Sequence, residues 1–160
     1  MSAEKITSLL SICQRHAERL QWAMRQLSHL QPFDPEQLEK VDDTTIAIMD
    51  QFASRFSKLQ DAMGAQLLPA VLDLTAEQGE LTTFIDKLNR LEKMGAIHST
   101  ERWMMLREMR NQFAHDYPEE PEIQASLLDK AFAQSRLLLD EFERGKSFIN
   151  RYMPSPAATC

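Results

Sequence analysis

Apolar positions in this chain recur every three and four residues, and almost nowhere every two, which is the spacing of helices that each bury one face. Ile6, Leu9, Leu10, Cys13, Ala17, Leu20, Met24 and Leu27 form the first stripe. It predicts a helix capped by Ser2, with Glu4 and Lys5 in its first turn, running to about Leu30. Gln31-Pro32-Phe33-Asp34-Pro35 then breaks the pattern. Asp34 suits an N-cap, and Pro35 suits the first helical position, where a missing N–H removes no bond. A second stripe of Ile46, Met49, Phe52, Phe56, Leu59, Met63 and Leu67 predicts a long helix from Pro35 towards Leu68. The Asp42–Thr45 cluster marks a break or a fresh cap near its start, and Pro69 kinks or ends it. From Pro69 to Gly79 the periodicity is weak and leaves room for a short helix.

Leu81 to Met94 reads as a third helix with Phe84, Leu88 and Leu91 inward, closed by Gly95. Ser99 or Thr100 caps a fourth, which carries Trp103, Leu106, Met109 and Phe113 and fades at about His115, because Pro118 and Pro121 forbid its continuation. The last helix runs from about Pro121 to Arg151 along Ile123, Leu127, Leu128, Ala131, Leu138, Leu139, Phe142 and Phe148. The expectation is an all-α protein: one domain over residues 1–152, four long helices plus a shorter one, and a disordered tail at 153–160.

Composition supports this reading. A chain of 160 residues can bury one good core, and only four Gly are present. The start lacks a basic segment followed by an apolar run, so no signal peptide is expected. No apolar stretch approaches the roughly 20 residues that a membrane helix needs. Cys13 and Cys160 lie too far apart to form a disulfide framework, and a reducing cytoplasm is the expected setting.

The net charge of −6 argues against a broad basic nucleic-acid face. The charge is uneven, however. From Asp86 to His115 six basic residues face four acidic ones, and Asp116, Glu119, Glu120 and Glu122 follow directly. A small cationic site inside an acidic protein is therefore feasible.

Most familiar chemistries lack their residues. No Glu stands three positions before any of the four His, as a di-iron bundle requires. Cys13 and His16 have helical spacing, but no second pair completes a zinc site, so a core thiol beside a surface imidazole is expected. There is no Gly-x-Ser-x-Gly elbow and no phosphate-cradling Gly loop. Met104 and Met105 beside Trp103 read as core filler.

The pointed segment runs from Arg110 to Tyr117. On an ideal helix Asn111 and His115 lie about 40° apart, whereas Arg110 stands about 140° from His115. Arg110 and His115 could converge where the helix unwinds ahead of Pro118, or a second copy of the chain could bring the partner. An Arg and a His at one cleft suit phosphodiester cleavage: the guanidinium binds phosphate oxygens bidentately, and the imidazole moves a proton near neutral pH. The simpler alternative is a His favouring a helix C-terminus and an Arg paired with Glu108 or Asp116.

Arg110-Asn111-x-x-x-His115-x-Tyr117 resembles the signature of HEPN domains, and more narrowly of HepT-type toxins: Arg, four residues, His, one residue, Tyr. The polar residue after the Arg, and the motif's place near the end of a late helix with one long helix following, fit that family too. Residues 1–80 carry no further match. The resemblance implies a HEPN-like bundle and a metal-independent endoribonuclease without cofactor, in which two chains form a homodimer whose paired motifs line one cleft for RNA. His115 would transfer the proton of the ribose 2′-OH, Arg110 would steady the phosphate, and Asn111 would orient His115 or the substrate. Tyr117 matches the position at which a nucleotidyltransferase antitoxin adds AMP and silences such toxins. An alternative is a non-catalytic HEPN module that binds a nucleotidyltransferase, a nucleotide or RNA. A third is a purely structural helical dimer held by the second helix's seam.

Overall fold

The computed structural model describes residues 3–75, 81, 83–115 and 120–153, and among these the protein is all-α, without strands. The tail beyond Met153, Ser2, Tyr117 and the last part of the weakly patterned stretch, residues 76–79, lie outside the described residues.

The elements are α1 (Ala3–Leu27) with a 3₁₀ turn at Ser28–Leu30, α2 (Pro35–Leu38), α3 (Asp43–Ala62), a π turn (Met63–Leu67), α4 (Leu68–Leu74), α5 (Phe84–Met94), α6 (Thr100–Ala114) and α7 (Pro121–Tyr152). Local chemistry sets most ends. Asp34 accepts from Glu36 N–H at 3.1 Å ahead of Pro35, and Ser99 accepts from Arg102 N–H at 3.0 Å at the head of α6. Gly95 closes α5 at φ 86°, where a Cβ would be strained.

The expected second helix is divided. Asp42 turns its carboxylate back to Thr45 N–H at 2.8 Å and starts α3 afresh, so α2 is only one turn long. Pro69 does not terminate the far end; the helix widens into the π turn and continues to Leu74. In an α register the carbonyl of Ala65 would face the proline ring and a nitrogen with no hydrogen. The π register moves each partner one residue along, and Leu68 N–H reaches Met63 O. Gly64 sits in this turn because Trp103 leaves no room for more: a Cβ there would lie 3.2 Å from the indole Cζ2.

The core runs the length of the bundle. α3 packs along α1 on one side and α6 on another, and α7 crosses α1, α3 and α6. Phe52, Phe56 and Phe132 are fully buried, with the Phe52 and Phe132 rings 4.8 Å apart. Three expectations of inward side chains fail. The third helix begins at Phe84 rather than Leu81, its N-cap is Thr83, and Phe84 is 38% exposed. Met104 and Met105 point outward, and the inner face of α6 is Trp103, Leu106 and Met109, followed by the half-buried Phe113. Ile46 and Ile123 are likewise exposed. Among the described residues no helix is long and apolar enough to cross a membrane.

Cys13 is buried in α1, and loss of hydration pushes its thiol up to about 11. Against the ordinary value of 9.0, that leaves roughly a hundredfold less thiolate at pH 8. Iodoacetamide at pH 8 is therefore expected to leave the Cys13 peptide unmodified in the native protein and to alkylate it in urea, as peptide mass spectrometry would report. Its expected neighbour is half-buried rather than fully on the surface: His16 Nδ1 lies 2.9 Å from Arg55 Nη1, an acceptor to that guanidinium. Burial first, and the charges of Arg55, Lys58 and Arg15 next, depress its pKa.

Candidate functional site

α6 carries the Arg110–His115 segment. Its first part is sunk in the core through Trp103, Leu106 and Met109. Its last turn is held by Phe113, which meets Phe56 edge-on at 5.5 Å and Phe52 at 6.2 Å. These contacts rank near 1 kcal/mol each beyond simple burial, as an order of magnitude. They fix the end of the helix on α3, two residues before His115.

Arg110 projects from α6 towards α3. Its Nε donates to Asp61 Oδ1 at 2.8 Å and its Nη2 donates to Asp61 Oδ2 at 3.0 Å. Among the described residues Arg110 thus pairs not with Glu108, as the simpler alternative had it, but bidentately with Asp61 across two helices, and Asp116 lies outside the described residues. The two hydrogen bonds, and then the carboxylate's charge, raise the Arg110 pKa further above its ordinary value. The pair is partly open to solvent, with side chains 33% and 48% exposed, so it orients more than it stabilises. A guanidinium has five N–H donors in a planar fork, and Asp61 engages one edge only. The edge formed by Nη1 and Nη2 retains its hydrogens for another acceptor.

Asn111 is exposed on α6. His115 lies one residue past the helix, with extended backbone at φ −87° and ψ 166°, and is exposed. Neither side chain forms a hydrogen bond among the described residues, and none joins either of them to Arg110. The helix does unwind at His115, as its proline-rich sequel requires. Within one chain, however, Arg110 lines a groove that does not include Asn111 or His115.

That groove, about 510 Å³, lies between α3, the π turn, α5 and α6. Sequence reasoning missed Asp61, which stands 49 residues before Arg110. It also missed Glu141 of α7, which is fully buried; Glu141 Oε2 accepts from His98 N–H at 2.8 Å and Oε1 accepts from Arg102 Nη1 at 3.3 Å. This carboxylate ties the start of α6 to α7. Its signal was present: Glu141 falls within the inward stripe of Leu138, Phe142, Gly145 and Ile149. An acid placed there needs a partner.

Comparison with protein-family models, with curated proteins and with solved structures finds no match.

Proposed function

We propose that this chain is a metal-independent endoribonuclease of HEPN type, the toxin of a toxin–antitoxin pair, working as a homodimer with a HEPN-like bundle in each half. What supports the reading is the Arg110 guanidinium. It is clamped by Asp61 on one edge, with the other edge open, five residues before an imidazole freed from its helix.

In this mechanism His115 takes the proton of a ribose 2′-OH, and the 2′-oxygen bonds to the adjacent phosphorus. The bond from phosphorus to the 5′-oxygen breaks, leaving a 2′,3′-cyclic phosphate and a 5′-oxygen that receives a proton. The free edge of Arg110 holds the non-bridging oxygens as their charge grows. Asn111 orients the imidazole or the ribose. Because His115 lies outside the groove that Arg110 lines, a second chain is a natural source of the proton for the leaving oxygen, across a two-fold axis. A nucleotidyltransferase antitoxin that adds AMP to the Tyr117 hydroxyl would place a bulky anion two residues after His115 in the chain.

The test is growth after induced expression of the chain alone, beside Arg110→Ala and His115→Ala. Arrest by the parent and relief by both variants is the expected result; arrest by all three would overturn the reading. With purified protein in excess chelator, Arg110→Lys is expected to cleave RNA about 10²–10³-fold more slowly, because an ammonium cannot serve Asp61 and a phosphate with two planar edges. Equal rates would remove Arg110 from the chemistry.

A second reading, a non-catalytic HEPN module, is favoured by the Asp61 carboxylate, which neutralises the one guanidinium of the motif. It predicts RNA or nucleotidyltransferase binding by a protein that never cuts.

A further inference from the structure

The groove beside Arg110 holds more than the motif requires. On its wall the Arg107 guanidinium lies 4.7 Å from the centre of the exposed Phe84 ring. Deeper, Trp103 is fully buried, and its indole N–H has no acceptor among the described residues. Buried polar groups are nearly always paired, so an orphaned donor in the lining of a groove stands out. The Cε2–Cζ2 edge of that indole, next to the ring nitrogen, packs against Gly64, where a Cβ would lie 3.2 Å from Cζ2. Gln60, 5% exposed, brings its amide nitrogen to 3.7 Å from the same spot and forms no side-chain hydrogen bond among the described residues.

Each feature asks for a particular ligand group. The open edge of Arg110 asks for an oxyanion. The Phe84–Arg107 pair offers a flat cationic and aromatic face, which suits a planar ring. The Trp103 N–H and the Gln60 amide ask for an acceptor and for a group that both donates and accepts. An apolar ligand leaves three of these unmet, and inorganic phosphate leaves the flat face and the indole unmet. One chemical unit supplies all three, a nucleotide: a phosphate, a flat base, and ring nitrogens or carbonyls at its edge. The groove, at about 510 Å³, lies within the range of roughly 300–1,000 Å³ of small-molecule pockets. Two guanidiniums against the single Asp61 carboxylate leave its lining net positive.

We propose that the groove between α3, the π turn, α5 and α6 is a nucleotide subsite, with Arg110 on the phosphate and the base against Phe84 and Arg107, above the Trp103 indole in the groove's lining. This rests on the ribonuclease reading only for its purpose, the seating of the nucleotide whose phosphate Arg110 steadies. Binding stands apart from cleavage.

The chain has two Trp, so its ¹H–¹⁵N spectrum contains two indole signals, and Trp22, exposed on α1 and outside the groove, is the internal control. Trp22→Phe assigns them. The probes are the four nucleoside 5′-monophosphates, a 2′-O-methyl RNA hexamer that cannot be cleaved, and inorganic phosphate. The Trp103 signal is expected to shift with nucleotide or hexamer while Trp22 stays still. Arg107→Ala and Phe84→Ala, both at exposed positions, are expected to raise Kd at least tenfold.

A shift with monophosphates assigns the site to free nucleotides as well as RNA; a shift with the hexamer alone assigns it to the polymer. No movement of Trp103 at millimolar probe, an equal shift with inorganic phosphate, or unchanged Kd in both variants overturns the subsite. RNA cleavage without an indole shift sinks the subsite and leaves the ribonuclease reading standing. An indole shift without cleavage does the reverse.

Discussion

Replacing His115 by Ala is expected to lower RNA cleavage by about 10²–10⁴-fold while leaving the thermal midpoint in place. The size follows from the role: a positioned proton-transfer group contributes that much, and the phosphate contact through Arg110 survives its loss. The neutrality towards folding follows from location. His115 is exposed, outside the helix, and without a hydrogen-bond partner among the described residues, and such positions tolerate change within about 0.5 kcal/mol. Cleavage and melting of parent and variant, measured in one buffer with chelator, check both halves. Undiminished cleavage would remove His115 from the mechanism. A lowered midpoint would mean that the imidazole serves the fold.

Replacing Glu141 by Ala should destabilise the protein by about 2–4 kcal/mol in urea, a large part of the roughly 5–15 kcal/mol that holds a domain together. The substitution empties a fully buried position and strips the acceptor from His98 N–H and from Arg102. The penalty stays below that of a wholly buried pair because the Arg102 side chain, 22% exposed, can turn to water. Glu141→Gln keeps an acceptor of similar shape and separates packing from charge.

Its pH dependence carries a definite sign. Burial raises the Glu141 pKa above 4.5, and the His98 N–H bond and the charges of Arg102, His98 and Arg144 only partly oppose it. The folded protein thus holds this proton more tightly than the unfolded chain. The resulting stability is full below about pH 4.5 and is lost as pH rises through the folded pKa. The stability of the parent minus that of Glu141→Gln is therefore expected to increase as pH falls from 7 towards 4.5. A difference that is flat across this window would show that the carboxyl is not held in a dry site.

What the sequence disclosed was mainly local. The caps at Asp34 and Ser99 and the glycine at Gly95 each act within four residues, so they can be read before any fold is known. Asp42 was legible as a marker, yet its consequence, a wholly new helix, competes with a stripe that runs through it. Pro69 was legible only as a missing donor; the π turn that accommodates it also depends on Trp103 from another helix filling the space over Gly64. Periodicity failed for Met104 and Met105, because it ranks positions by spacing and cannot see that the inner face of α6 is already filled, and for Phe84, because the helix it was read into starts only at that residue. Of the candidate site, His115 at a helix end could be anticipated from the prolines that follow. The Asp61 clamp could not, because a pair formed across two helices leaves no trace in either stripe.

The burial gradient along α6 has a consequence in time as well as in space. Amide hydrogens around Trp103 and Leu106 sit beneath the core and the Glu141 staple, and their exchange with solvent deuterium requires something close to global unfolding. Those at Gln112 to Ala114 need only the last turn to fray past Phe113. One helix thereby holds a slow half and a fast half, with Arg110 near the hinge between them. His115, just past the fast half, is free to reorient on the nanosecond-to-microsecond scale of chain segments at a helix end while Asp61 holds the Arg110 guanidinium in place.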